Sequence, residues 1–304
     1  MDPIAIGLIL VSACLHAGWN LLSKNAYPTA AFYLIANAFG CLLLCPVLAL
    51  YHSALPALPA LPVDVWLFLF SAGFFQAVYC TSLASAYRTG DLSIVYPLVR
   101  SSPVIVVTIA VFLLGRGDQI SGLSIAGITL IVAGGFLLPM RHMGDIRLKN
   151  YLNKSSIAAL IAACATAGYS IIDDQALRLL RESEGLPGTI QTTLLYALLG
   201  GLSSVLWLGF FTLVNQRERA RLRTALKEQL RVSALVGAGM YLTYPLVLIS
   251  MAFVANVSYV VAFRQISLPI GVVCGVWMFK EPGYTLKFVG ITIIFIGLVL
   301  VATG

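Results

Sequence analysis

The chain has 304 residues, 60% hydrophobic and 10% charged, with a formal net charge of +7 and a mean hydropathy of +0.94. A soluble domain averages about 25% charged residues, so a chain this apolar cannot clothe a water-facing surface and takes lipid as its solvent. The length leaves no room for a soluble catalytic domain beside the apolar runs.

A helix needs roughly 20 apolar residues to cross a bilayer. Runs of that kind predict ten spans, at about 3–24, 28–50, 63–86, 92–114, 119–140, 152–177, 188–214, 232–252, 255–279 and 283–303. They are rich in Leu, Ala and Gly and lack dyad alternation, so helices are expected, not barrel strands. Met1-Asp2-Pro3 has no basic region of the signal-peptide kind, and span 1 is read as retained. On that span His16, Asn20 and Lys24 share one face, with Trp19 beside them. The Pro-rich loop 53–62 carries no charge. Span 3 presents Gln76 and Tyr79, and span 4 presents Ser93, Tyr96 and Arg100, the last between Pro97 and Pro103.

Span 6 carries the stripe Thr166, Ser170, Asp174, with Tyr169 and Asp173 alongside. Segment 216–231 holds six basic and two acidic residues, with Leu222, Leu226 and Leu230 at helical spacing. A short helix on an anionic membrane surface is expected there. No aromatics interleave with its charges, so nucleic acid is not an expected partner. Span 8 offers Tyr241 and Tyr244 before Pro245, and span 9 offers Asn256, Tyr259 and Arg264 before Pro269. The six cysteines fall inside predicted spans without a CxxC pair, as buried small hydrophobes and not as disulfides or metal ligands.

Two halves echo one another. His16-Ala-Gly-Trp-Asn returns as Thr166-Ala-Gly-Tyr-Ser, offset by 150. Gly127-Ile-Thr with Gly134 returns as Gly290-Ile-Thr with Gly297, offset by 163. The expected fold is therefore an all-α integral membrane protein, ten transmembrane helices in two five-helix repeats, residues 1–140 and 152–304, joined by loop 141–151. An odd number of spans per repeat inverts the second copy, which is the trace of alternating access around a site between the halves.

Polar side chains at bilayer depth need a partner or a wet cavity. A guanidinium cannot shed its charge. With no Asp or Glu expected as deep as Arg100 and Arg264, an anionic ligand group held bidentately is favoured. Helix carbonyls near Pro103 or Pro269, or snorkelling to the surface, remain alternative partners. The deep titratable candidates reduce to His16. Lys24, Asp173 and Asp174 lie near predicted span ends, as gate groups or as interface anchors. Of the 19 Lys and Arg, 14 fall on one side of the ten spans, three (Arg116, Arg178, Arg181) on the other, and Arg100 and Arg264 within spans. The positive-inside rule then puts both termini outside the cytoplasm.

Gly-Ile-Thr-Leu-Ile-Val-Ala-Gly-Gly at 127–135, its copy Gly-Ile-Thr-Ile-Ile-Phe-Ile-Gly at 290–297, and Phe279-Lys280-Glu281-Pro282 before the last span resemble the EamA family of the drug/metabolite transporter superfamily. The resemblance covers the whole chain. It implies spans 1, 3, 4, 6, 8 and 9 around a central cavity and translocation of small metabolites, commonly amino acids or related compounds. By position it implies substrate contacts from His16, Trp19, Asn20, Gln76, Tyr79, Tyr96, Arg100, Tyr169, Tyr241, Tyr244, Tyr259 and Arg264. The family's acid before the final span is matched by Glu281; the first half has Leu114-Gly115-Arg116-Gly117 there, without the acid. The segment at 16–20 is also similar to a subgroup associated with phosphonate utilisation. Family members are usually drawn with cytoplasmic termini, against the charge count. The expectation is a secondary transporter of a small anionic or zwitterionic metabolite in a bacterial inner membrane, without cofactor or metal. Its partners are the small-molecule substrate and membrane lipids, with a homodimer left open. A lipid or polymer-precursor flippase is the alternative, and an integral-membrane enzyme a lesser one.

Overall fold

The computed structural model describes residues 2–47, 61–89, 92–138, 140, 144, 153–183, 186, 188–278 and 283–304. The side chains of 92–98, 100, 274, 275, 277 and 278 lie outside the described residues. The helices are α1 (Pro3–Asn25), α2 (Ala30–Leu44), α3 (Val63–Thr89), α4 (Leu92–Leu113), α5 (Gly122–Leu137), α6 (Lys154–Glu182), α7 (Thr189–Val214), α8 (Gln216–Glu228), α9 (Leu230–Ser250), α10 (Val257–Phe263), α11 (Ser267–Met278) and α12 (Thr285–Thr303). No strand occurs among the described residues.

Local chemistry sets the boundaries. Asp2 caps α1 through the Ile4 amide, with Pro3 at the first helical position, where its missing N–H costs nothing. Thr29, Ser121, Asn153, Asn215 and Asn256 cap α2, α5, α6, α8 and α10 in the same way, each satisfying amides that the first turn leaves orphaned. The ninth segment is broken: a 3-10 turn, Arg264–Ile266, separates α10 from α11. Pro269 supplies the cause, since its ring clashes with the carbonyl four residues back, at Gln265.

Among the described residues, six helical segments are long and apolar enough to cross a membrane, in α1, α3, α6, α7, α9 with its following turn, and α12. Large apolar side chains such as Leu206, Phe210 and Leu213 on α7 stand exposed, as lipid-facing residues do. The chain is a multi-pass membrane protein. The shorter apolar segments, Ala30–Leu44, Ser101–Leu113, Gly122–Leu137 and Val257–Val273, fall in four of the remaining predicted spans. The polar α8 is the amphipathic segment expected between the seventh and eighth. One predicted end is corrected: α6 continues to Glu182, beyond the expected stop near 177, with Asp174 and Arg178 paired one turn apart on it.

Packing pairs repeat when the halves are exchanged. α3 lies on α6 and α1 on α9; α2 lies on α9 and α3 on α7; α4 lies on α6 and α11 on α1. α5 and α12 pack together through glycine. A Cβ on Gly127 would strike the Gly297 carbonyl, and one on Gly297 would strike that of Gly127; Gly134 and Gly290 oppose each other likewise. The two helices therefore run antiparallel with backbones nearly touching. The sequence repeat equates Gly127 with Gly290 and Gly134 with Gly297, so the two contacts exchange with one another when the halves are swapped.

Candidate functional site

A central cavity of about 60 Å³ is lined by α1, α2, α3, α6, α9 and the 3-10 turn of the broken segment. α1 contributes His16 and Trp19, whose rings meet edge to face at 4.6 Å. α3 contributes Gln76, Tyr79 and Cys80, and α6 contributes Tyr169, with Tyr79 and Tyr169 in T-shaped contact at 6.1 Å. α9 presents Met240, Tyr241, Thr243 and Tyr244. Arg264 enters from the break and also lines a smaller adjoining pocket with Tyr79, Thr166, Tyr169 and Gln265. A water needs roughly 10–15 Å³ of such space, so this volume admits a few waters. A metabolite fits only when the wall parts.

Hydrogen bonds hold most of that wall. Asn37 on α2 donates to the Tyr33 carbonyl at 2.8 Å, and its Oδ1 accepts from the Tyr241 hydroxyl at 3.1 Å. The Tyr241 ring fills a slot between Gly40 and Gly201, where any Cβ would overlap it. Gln76 Nε2 donates to the Tyr244 hydroxyl at 2.8 Å, and Tyr244 donates to Asp173 Oδ2 at 2.8 Å. The Tyr196 hydroxyl donates to Asp173 Oδ1 at 2.8 Å. Two donors stand out among the groups left over. Trp19 Nε1 is buried without a partner, and the Arg264 guanidinium makes no hydrogen bond to a described residue.

Eight of the twelve expected contacts line this cavity: His16, Trp19, Gln76, Tyr79, Tyr169, Tyr241, Tyr244 and Arg264. Two do not. Asn20 is turned along its own helix, donating to the His16 carbonyl and accepting from the Tyr87 hydroxyl. Tyr259 points to the α4–α5 link, donating to the Gln119 carbonyl at 2.9 Å. The side chains of Tyr96 and Arg100, and all of Glu281, lie outside the described residues. Asn37, Cys80, Met240 and Thr243 were not anticipated; an Asn within the apolar α2 was the available signal for the first.

The gate expectations divide similarly. Lys24 forms no ion pair with a described residue. Asp173 is not an end group: it is fully buried, and two phenols satisfy it. Its charge also acts on Arg264, so the expected absence of a deep acid is corrected, although no ion pair joins the two. Asp174 Oδ2 accepts from Arg116 at 3.2 Å and Arg178 at 2.9 Å. Arg116 also reaches Gln175, and Arg178 reaches the Ala255 carbonyl. At the other end Glu218 on α8 accepts from the Ala30 amide at 3.0 Å, pairs with Arg221 at 2.6 Å and lies 3.9 Å from Arg88. Arg88 donates to the Pro28 carbonyl and Gln229 to that of Ala26. Both ends are thus fastened across the two halves.

Residues 3–140 match the family model described as the EamA-like transporter family. The family sits within the drug/metabolite transporter superfamily and points to a membrane transporter. No curated protein matches the chain. A solved crystal structure superposes on the chain with a TM-score of 0.66 at 14% identity, covering 98% of it and 97% of the solved chain; at that identity the likeness extends to the fold alone.

Proposed function

We propose that this chain is a secondary transporter of a small anionic or zwitterionic metabolite, of the amino acid, carboxylate or phosphonate class, working by alternating access. The single observation that supports it most is the pairing, on one aromatic cavity, of two donors that have no hydrogen-bond partner among the described residues: the Arg264 guanidinium and Trp19 Nε1. A charged donor at membrane depth without a hydrogen-bond partner is costly, and an oxyanion relieves it by charge-assisted bonds. The tyrosines and Trp19 give the rest of the ligand an amphipathic, aromatic enclosure. Residues 1–140 and 152–304 act as inverted repeats, a reading supported by the reciprocal antiparallel glycines of α5 and α12. The small cavity, tied at both ends, suits an occluded state. The setting is a bacterial inner membrane, with both termini on the non-cytoplasmic side by the Lys/Arg bias.

The test is a thermal-shift screen of amino acids, carboxylates and phosphonates on the purified protein, since a ligand that binds the folded state alone raises its melting temperature. Hits go on to uptake in proteoliposomes. Arg264→Ala is expected to abolish both the shift and the uptake while the protein stays folded. Normal uptake by that variant overturns the anion site.

A further inference from the structure

Asp173 is built unlike a structural acid. It lies one hydroxyl behind the cavity wall, since Tyr244 both lines the cavity and donates to Asp173 Oδ2. The other oxygen accepts from Tyr196. A phenol can donate or accept. The same two tyrosines therefore satisfy the carboxylate, and either one, turned round, satisfies the acid. Both protonation states fit without moving a helix.

The charges that face it come from several elements. Arg264 acts on it from the 3-10 turn, and Asp174 from its own helix, although Asp174 is committed to Arg116 and Arg178. α7 and α9 offer the two phenols. α3 presents neutral Gln76 and Tyr79, and α10 presents Tyr259, bonded away to Gln119. Arg100 on α4 lies outside the described side chains. The uncommitted cation near Asp173 among the described groups is thus Arg264, the group that the proposed function assigns to the substrate's anionic head.

We propose, resting on that assignment, that Asp173 is the proton-coupling residue of this cavity: its carboxylate takes up one proton when an anion settles on Arg264 and releases it when the anion leaves. Ionised Asp173 repels an incoming anion and shares the field of Arg264. An anion on Arg264 cancels that field and leaves the buried carboxylate without compensation, so it binds a proton. A hydronium proton from bulk solvent, relayed through cavity water, passes to the Tyr244 oxygen as the Tyr244 proton passes to Oδ2, and neutral water is left behind; one O–H bond forms for each that breaks. The linkage is reciprocal, so a proton on Asp173 also tightens the anion.

Benzenesulfonate, a permanent anion with an aromatic body, is the probe, titrated calorimetrically into the full chain in detergent, with buffers of differing ionisation enthalpy to count protons. Wild type is expected to take up one proton per anion, its affinity rising about tenfold per pH unit fall where coupling operates. Asp173→Asn is expected to bind with a flat pH profile and no proton uptake. Infrared spectra should show a protonated carboxyl band that the probe strengthens and Asp173→Asn removes. Binding without proton uptake, or uptake that persists in Asp173→Asn, overturns the coupling and spares the anion site. Failure of wild type to bind the probe overturns both. The wild-type proton count needs no variant, so a misfolded Asp173→Asn does not leave the matter open.

Discussion

Asn37 is the residue on which the cavity wall turns. Its amide joins α2 to Tyr241 of α9, with weaker reach to Cys80 on α3 and Ser204 on α7. Removing it leaves the buried Tyr241 hydroxyl without an acceptor, holding only the weak Cys41 thiol contact, and leaving a buried polar group unpaired costs about 1–3 kcal/mol. Asn37→Ala is expected to lower the unfolding free energy by that amount and Asn37→Asp to lower it further, both read by thermal melting in detergent. Trp19→Phe keeps the ring stacked on His16 but deletes the idle N–H; it is expected to weaken an anionic ligand by about 1.5–3 kcal/mol with the melting temperature unchanged. Much of this site was legible in the sequence. Gln76 with Tyr79, and Tyr241 with Tyr244, are polar pairs at helical spacing inside apolar runs, where a polar group must be justified. The same logic applied to Asn37, four residues after Tyr33 on the same face of α2, and went unused. Asp173 was misjudged through its neighbours: Asp174 and Arg178 look like the end of a span, yet Asp174 bridges Arg178 and Arg116, and the helix runs on past them.

Among the elements, the break in the ninth segment matters most to the site. Arg264 reaches the cavity from a 3-10 turn, and Pro269 forbids the α-helical bond that would straighten it. Pro269→Ala is expected to heal the helix, leaving the melting temperature unchanged or higher, while swinging Arg264 away and cutting uptake by an order of magnitude or more. A parallel loss of stability and uptake would argue against the break as a device. The sequence announced this feature through Pro269, whereas the docking of α8 onto α2 was invisible. That docking depends on Glu218 finding the Ala30 amide 188 positions earlier, a contact no local pattern reports. Glu218→Ala strips a cap from α2 and is expected to cost about 0.5–2 kcal/mol, again read by melting.

At the scale of the whole molecule, Asp174 and Glu218 fasten opposite ends, each from the second half onto the first. Cys80 sits in the cavity and is almost fully buried, so its thiol reports whether either end is open. Asp174→Asn and Glu218→Gln are each expected to speed modification of Cys80 by a membrane-impermeant thiol reagent. A release of 1–2 kcal/mol corresponds to about 5–30-fold. Each variant should respond to reagent on one side of the membrane only, and on opposite sides. Enhancement from the same side in both would defeat the two-ended reading, and the responsive sides also orient the termini.

The glycine seam of α5 and α12 carries a consequence for how such a chain could be assembled. Because each five-helix half brings the same small-residue stripe to an antiparallel match, the seam is self-complementary, and neither half depends on the peptide link at 141–151 to find the other. Two separately translated pieces, severed within that link, should therefore dock in the bilayer into a working whole, whereas a bulky leucine at Gly127 or Gly297 would keep the severed pieces apart long before it unfolded the intact polypeptide.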